Sequence, residues 1–269
     1  MASISRPEPV ADIGTELVRE WHPNGERRAT VVLVHGIAEH SGRYERTGGL
    51  LADSGFLVRS FDLIGAGGSG GARWDIDDWS RYHDQIERHM TWASDQDLPM
   101  ILMGHSLGGN LALGYALSER PSPDLLVLST PAVDGGAAWQ KALAPLAARL
   151  MPKMALPNGV KAEQLSRDPA VGEAYFADPL VITKSTARFG NAFFESMVKL
   201  QDNWDGLDVP TLVLHGGSDV LVPTQSSAPL GELATAERRV YPGLQHEILN
   251  EPEGPEIVQD IIDWIEARL

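Results

Sequence analysis

Apolar residues fall in short unbroken runs along this chain, separated by stretches of helical spacing. The runs are Thr30-Val31-Val32-Leu33-Val34, Phe56-Leu57-Val58, Met100-Ile101-Leu102-Met103, Leu125-Leu126-Val127-Leu128 and Thr211-Leu212-Val213-Leu214. They do not alternate with polar residues, so each predicts a strand buried on both faces, as in a parallel sheet. A shorter run, Arg239-Val240-Tyr241, predicts one more. Between the runs, Ile76, Trp79, His83, Ile86 and Met90 recur at the spacing of a helix. Near the end, Ile257, Val258, Ile261, Ile262, Ile265 and Leu269 share one helical face, and Pro255 is well placed to start that helix. The first ten or so residues are polar and contain prolines, and are expected to form a loose arm. Repeated strand–helix units of this kind imply a doubly wound α/β domain.

The rhythm breaks between about Pro131 and Asp208. Only Leu180-Val181-Ile182 looks strand-like there, and Trp139, Leu143, Leu146 and Leu150 fall on one helical face interrupted by Pro145. The chain therefore divides into a core, residues 1–130 and 209–269, and a mostly helical insertion, 131–208. An insertion at that point caps the carboxyl ends of the strands, where ligands bind in open α/β sheets.

Composition narrows the function. The 269 residues carry a net charge of -15, with 43% hydrophobic and 22% charged residues, as in a globular soluble protein. An acidic surface disfavours nucleic-acid backbones. With no cysteine, disulfides, thiolate metal sites and a cysteine nucleophile are out. The N-terminus lacks the apolar core of a signal peptide, and no stretch approaches the ~18 apolar residues that span a bilayer. The expectation is a cytoplasmic protein.

The chemistry centres on Gly104-His105-Ser106-Leu107-Gly108-Gly109, between a strand run and the helix-like Asn110 to Leu117. A strand, a Gly-x-Ser-x-Gly turn and a helix in that order make a nucleophile elbow. The turn lifts the Ser106 hydroxyl over a helix amino end, whose free N–H groups suit a developing oxyanion. A serine needs a base, usually a histidine held by a carboxylate. In this architecture the order is serine, acid, histidine. Downstream of Ser106 only His215 and His246 remain. His215 closes a strand and reads as structural. Asp219 lies on the turn beyond that strand, where the acid belongs, and His246 follows the next strand. Ser106, Asp219 and His246 are therefore the expected nucleophile, orienting acid and base. Glu247 is the nearest rival to Asp219, its other reading being a loop or cap hydrogen bond. Two backbone N–H groups should form the oxyanion hole: Leu107, after the nucleophile, and Ile37, in His35-Gly36-Ile37-Ala38-Glu39-His40. The His35 and His105 side chains read as structural hydrogen-bonders.

Three segments resemble the monoacylglycerol lipase-like group of α/β-hydrolases, which is related to the serine aminopeptidase group. They are His35 to Tyr44, Gly104 to Gly109, and His215 to Asp219 continuing through Tyr241 to Glu251. Leu165-Ser166-Arg167-Asp168-Pro169 and Asp178-Pro179-Leu180-Val181 are also similar to bacterial members. The resemblance implies the α/β-hydrolase fold and a hydrolase of single-chain lipid esters, most specifically monoacylglycerols, with no cofactor or metal. It also implies an acyl tunnel under a mobile cap that touches membranes transiently. It makes Glu39 and Arg43 candidates for the pocket holding a glycerol-like alcohol; the other reading is an ion pair that fixes the loop. One departure is Asp62-Leu63-Ile64-Gly65-Ala66-Gly67-Gly68-Ser69, where Ala66 stands in place of a histidine common in relatives. Lysophospholipases, other carboxylesterases, prolyl aminopeptidases and non-catalytic binding proteins share the scaffold and stand as alternatives. The insertion's Glu163, Asp168, Glu173 and Asp178 keep the peptidase in view.

Overall fold

The computed structural model describes residues 2–269. In chain order its elements are β1 (Ile4–Val10), β2 (Gly14–Trp21), β3 (Ala29–Val34), α1 (Glu45–Asp53), β4 (Phe56–Phe61), α2 (Ser80–Ser94), β5 (Met100–His105), α3 (Leu107–Ala116) and β6 (Leu125–Ser129). Then follow α4 (Ala138–Leu150), β7 (Ala155–Pro157), α5 (Pro169–Ala177), β8 (Lys184–Thr186), α6 (Ala187–Asn203), β9 (Thr211–Gly216), β10 (Ala236–Tyr241) and α7 (Gly254–Glu266). Eight strands form one sheet in the order β1-β2-β4-β3-β5-β6-β9-β10. From β4 to β10 every pair is parallel, whereas β1–β2 and β2–β4 are antiparallel.

The unbroken apolar runs are explained by the two cores they feed. Val32 and Val34 of β3 pack with α2, α3 and α6, while Val31 and Leu33 of the same strand pack with α1 and α7. Strands β3, β4, β6 and β9, buried along their whole length, thus alternate between two apolar layers. The C-terminal helix buries Ile257, Val258, Ile261, Ile262 and Ile265 as expected, but Leu269 lies beyond its end and is exposed.

Several expectations need correction. The N-terminal residues are not a loose arm: they form edge strand β1, paired with β2 in register from Ile4–Glu20 to Val10–Gly14. Its prolines, Pro7 and Pro9, are compatible with an edge strand. Helix α2 starts only at Ser80, so Ile76 and Trp79 lie before it, packed into the same core as its apolar face. Leu180-Val181-Ile182 is not a strand; the strand lies just after it, where Lys184–Thr186 pairs antiparallel with Ala155–Pro157. Pro145 does not interrupt α4, which runs through it along the surface.

The chain between β6 and β9 sits over the carboxyl ends of the parallel strands and is held unevenly. Helix α4 has no buried residue, and Trp139, Leu143, Leu146 and Leu150 are each more than half exposed. The stretch from 162 to 182 is tied to the core. His40 Nε2 donates to Asp178 at 2.9 Å, Glu247 N–H donates to the Leu165 carbonyl at 2.7 Å, and Ile182 N–H donates to the Ala38 carbonyl at 3.1 Å. Buried Glu251 accepts from Ser166 Oγ (2.9 Å) and Arg167 N–H (3.0 Å) on the insertion and from Gln245 N–H (2.8 Å) on the core.

Candidate active site

The elbow is built as its glycines require. Ser106 has φ +53 and ψ -116, a strained conformation for a residue with a side chain. A Cβ on Gly104 would lie 2.2 Å from the Gly108 carbonyl, and one on Gly108 would lie 2.1 Å from the Val34 carbonyl. Only glycine lets β5, α3 and β3 approach this closely. The Ser106 peptide is held on both sides by the chain leaving β6: its N–H donates to the Ser129 carbonyl, and its carbonyl accepts from Ala132 N–H, each at 3.0 Å.

Asp219 sits in the turn after β9. Its Oδ1 accepts from Leu221 and Val222 N–H at 2.8 and 3.0 Å, and its Oδ2 accepts from His246 Nδ1 at 2.7 Å. Burial works against ionisation of Asp219, but the His246 charge and these hydrogen bonds outweigh it and hold the carboxyl well below the usual range. Burial also favours a neutral His246, and Asp219 outweighs it, so the imidazole titrates above its ordinary 6.5. Because Nδ1 donates to Asp219, Nε2 is left as the free base. Ser106 and His246 border one cavity of about 550 Å³. Among the described residues, the Leu107 and Ile37 N–H groups, at the start of α3 and in the loop after β3, donate to no protein acceptor.

Next to these groups lies a buried ionic cluster. Glu39 accepts from Gly36 N–H (2.6 Å), the Tyr44 hydroxyl (2.7 Å) and Arg43 (2.7 Å). Arg43 also grips Glu247 with two bonds of 2.6 and 2.7 Å, and its guanidinium lies 4.8 Å from the centre of the Tyr175 ring on α5. Burial, the largest single influence, would raise the Glu39 pKa, but Arg43, the neighbouring His105 and His35 and the Tyr44 hydrogen bond together outweigh it and hold the carboxyl down at about 2. Glu247 is therefore committed to Arg43 and to Asn250 rather than to the imidazole, which Asp219 takes.

His35 bridges the Gly36 carbonyl and Leu63 N–H, and His215 contacts Ser227 Oγ and the Val222 carbonyl and lies 3.5 Å from Asp219 Oδ2, behind the closer His246 contact. Burial and the neighbouring His246 hold His105 down at about 4, so it is neutral. Ala66 is fully buried. Among the described residues no group of three His, Cys, Asp or Glu could hold a metal ion. Nor is any described helix long and apolar enough to cross a membrane.

The family model for serine aminopeptidase S33 hydrolases matches residues 25–253. The chain belongs to this family. Among S33 family members it is 35% identical over 258 residues to a monoacylglycerol lipase of Mycolicibacterium smegmatis, covering 93% of this chain and 92% of that protein. It is 30% identical to the monoglyceride lipase of Homo sapiens, covering 93% and 86%. The crystal structure of Paleococcus ferrophilus monoacylglycerol lipase superposes with a TM-score of 0.84 at 29% identity, over 94% of this chain and 98% of that one. A soluble variant of the Saccharomyces cerevisiae monoglyceride lipase shares the fold, with a TM-score of 0.90 at 21% identity over 100% and 96%. This S33 chain is thus an α/β-hydrolase, and its likeness to monoacylglycerol lipases makes it a serine ester hydrolase.

Sequence reasoning missed two parts of this site. The Arg43–Glu247 pair joins residues 204 positions apart, and no local spacing announces it. The tie between Glu251 and the insertion joins residues 85 positions apart and has no local signal either.

Proposed function

We propose that this chain is a monoacylglycerol lipase that works through an acyl-enzyme on Ser106. His246 Nε2 takes the hydroxyl proton as Oγ attacks the ester carbonyl. The developing oxyanion is received by the Leu107 and Ile37 N–H groups, which have no other acceptor. His246 then passes the proton to the leaving alcohol, and water repeats the cycle on the acyl-enzyme. Asp219 keeps the imidazole in the tautomer with a free Nε2.

One observation carries the reading. The cavity that Ser106 and His246 border is walled mainly by apolar side chains, among them Leu143, Ala147, Met154, Phe189, Phe193 and Met197. Its volume of about 550 Å³ is in the range of small-molecule sites. Such a lining suits one acyl chain with its ester beside Ser106. The names of the M. smegmatis and human relatives point to the same substrate class. Glu39 and Arg43 serve chiefly to hold the oxyanion loop, since Arg43 spends its donors on Glu39 and Glu247.

The insertion acts as a cap over residues 131–208. Its exposed face, Trp139, Leu143, Leu146 and Leu150, is where the enzyme meets lipid surfaces. A peptidase reading needs a free carboxylate near the substrate amine. Glu163, Asp168, Glu173 and Asp178 do not line the cavity, and Asp168 and Asp178 already cap α5 and bind His40.

The test is a panel of esters in which acyl length is varied against alcohol type, with Ser106→Ala as control. Monoacylglycerols of medium to long chain should be the best substrates. Folded Ser106→Ala should lose on the order of 10⁶-fold in turnover and escape fluorophosphonate labelling. Full activity in that variant excludes the mechanism.

A further inference from the structure

Thr130, directly after β6, is fully buried and has φ +41. Four other non-glycine residues have positive φ: Ala38, Trp74, Asp97 and Ser106. Thr130 is the β-branched one, and a branched Cβ makes that conformation a marked outlier. Such strain persists where the surroundings over-determine it, and it clusters at functional sites.

The surroundings of Thr130 are specific. Its N–H donates to the Leu214 carbonyl of β9 at 2.7 Å. Its hydroxyl donates to the His246 carbonyl at 3.0 Å. The same oxygen lies 3.1 Å from His105 Nδ1, which is also 3.1 Å from Ser129 Oγ. Proton accounting fixes the directions. A carbonyl can only accept, so the single hydroxyl proton goes to His246, and Thr130 Oγ1 is left as an acceptor for His105 in the tautomer that carries its proton on Nδ1. The residues around it, Ser129 and Ala132, hold the Ser106 peptide from both sides. One four-residue segment therefore grips the backbone of Ser106 through its main chain and the backbone of His246 through one side chain.

We propose that Thr130 is a positioning residue: its hydroxyl, locked in a strained backbone, sets the distance and angle between the Ser106 hydroxyl and the His246 imidazole. The proposal rests on the reading of those two residues as nucleophile and base. Thr130 does not touch the reacting atoms. Without the hydroxyl, the loop carrying His246 loses its side-chain tie to the end of β6, and His105 loses an acceptor for its Nδ1–H.

The test compares Thr130→Val with Thr130→Ser in the full-length enzyme. The valine keeps the branched shape and removes the hydroxyl; the serine keeps the hydroxyl and removes the branch. Active sites are counted by fluorophosphonate titration, so that kcat is expressed per competent Ser106. Thr130→Val is expected to lose ten- to a hundredfold in kcat per titrated site, a scale consistent with misplaced reacting groups, at unchanged KM. Thr130→Ser should keep at least half of the wild-type kcat. Should Thr130→Val fail to fold, Thr130→Gly carries the test, because glycine tolerates φ +41 and equally lacks the hydroxyl. A merely structural Thr130 would lower the melting temperature or the number of titratable sites and leave kcat per site within twofold of wild type, which overturns the proposal. Equal losses in the valine and serine variants overturn it too. Failure of the underlying reading looks different: the wild-type enzyme would itself resist labelling, and Ser106→Ala would keep its turnover.

Discussion

Replacing Arg43 by methionine keeps most of the aliphatic stem and removes one charge from a site where it faces two carboxylates. The side chains of Arg43, Glu39 and Glu247 are 11%, 4% and 5% exposed, so solvent cannot take over the role of the guanidinium. Removing one partner of a buried ion pair costs about 3–5 kcal/mol, because the other charge is left uncompensated. The titration of Glu39 points to the same scale: holding its carboxyl at about 2 rather than 4.5 corresponds to about 3 kcal/mol in favour of the ionised form. Arg43→Met should therefore lose about 4 kcal/mol in urea unfolding followed by tryptophan fluorescence at pH 7. The sign of the pH dependence follows. A carboxyl depressed in the folded state contributes stability that is present above its unfolded value of 4.5 and lost as pH falls towards 2. The gap between wild type and variant should thus shrink when unfolding is repeated at pH 4. Adding Glu247→Gln to Arg43→Met should recover part of the loss by removing one stranded charge. A gap below 1 kcal/mol at pH 7, or one that widens at pH 4, would refute the assignment of Arg43 as the clamp of the oxyanion loop.

Other measurements bear on the site and on the chain that covers it. Because Asp219 raises the His246 titration, the acid limb of kcat/KM should have its midpoint above 6.5 and move to lower pH in Asp219→Asn, with kcat falling by roughly 10⁴. Leu143→Asp with Leu146→Asp should weaken turnover of long-chain esters far more than of short-chain esters; equal losses on both would count against an acyl path under α4. Glu251→Gln leaves two of its acceptor contacts imperfect in a buried position, so it should cost about 1–3 kcal/mol in chemical unfolding and raise proteolytic nicking between residues 162 and 182. Unchanged protease resistance would argue that Glu251 does not fasten that stretch.

The elements most legible in the sequence were those whose burial is uniform. Strands β3, β5, β6 and β9 lie between two apolar layers, so their central positions are apolar and the runs show plainly. Strand β1 was misread because an edge strand exposed on one side has little apolar residue to display, and its prolines look like loop signals. Ile76 and Trp79 track burial rather than helix: they face the core from the turn before α2 and happen to continue its spacing. The pairing of Asp219 with His246 followed from chain order alone, because the turn after β9 and the loop after β10 sit side by side in a parallel sheet. Arg43–Glu247 and Thr130–His246 did not follow, since each joins segments brought together by the folded sheet and not by any local pattern.

The antiparallel hairpin at the start of the chain has a consequence for behaviour in concentrated solution. An open sheet has two borders, and each is a template on which a strand from a neighbouring molecule could be laid. On the β1 border, Pro7 and Pro9 stand two apart, so two donors are missing from the same side of the strand. On the β10 border, Glu237, Arg238 and Arg239 place charges along the strand that would be brought into register with their own copies. Both borders therefore resist recruitment of a further strand from a neighbouring molecule.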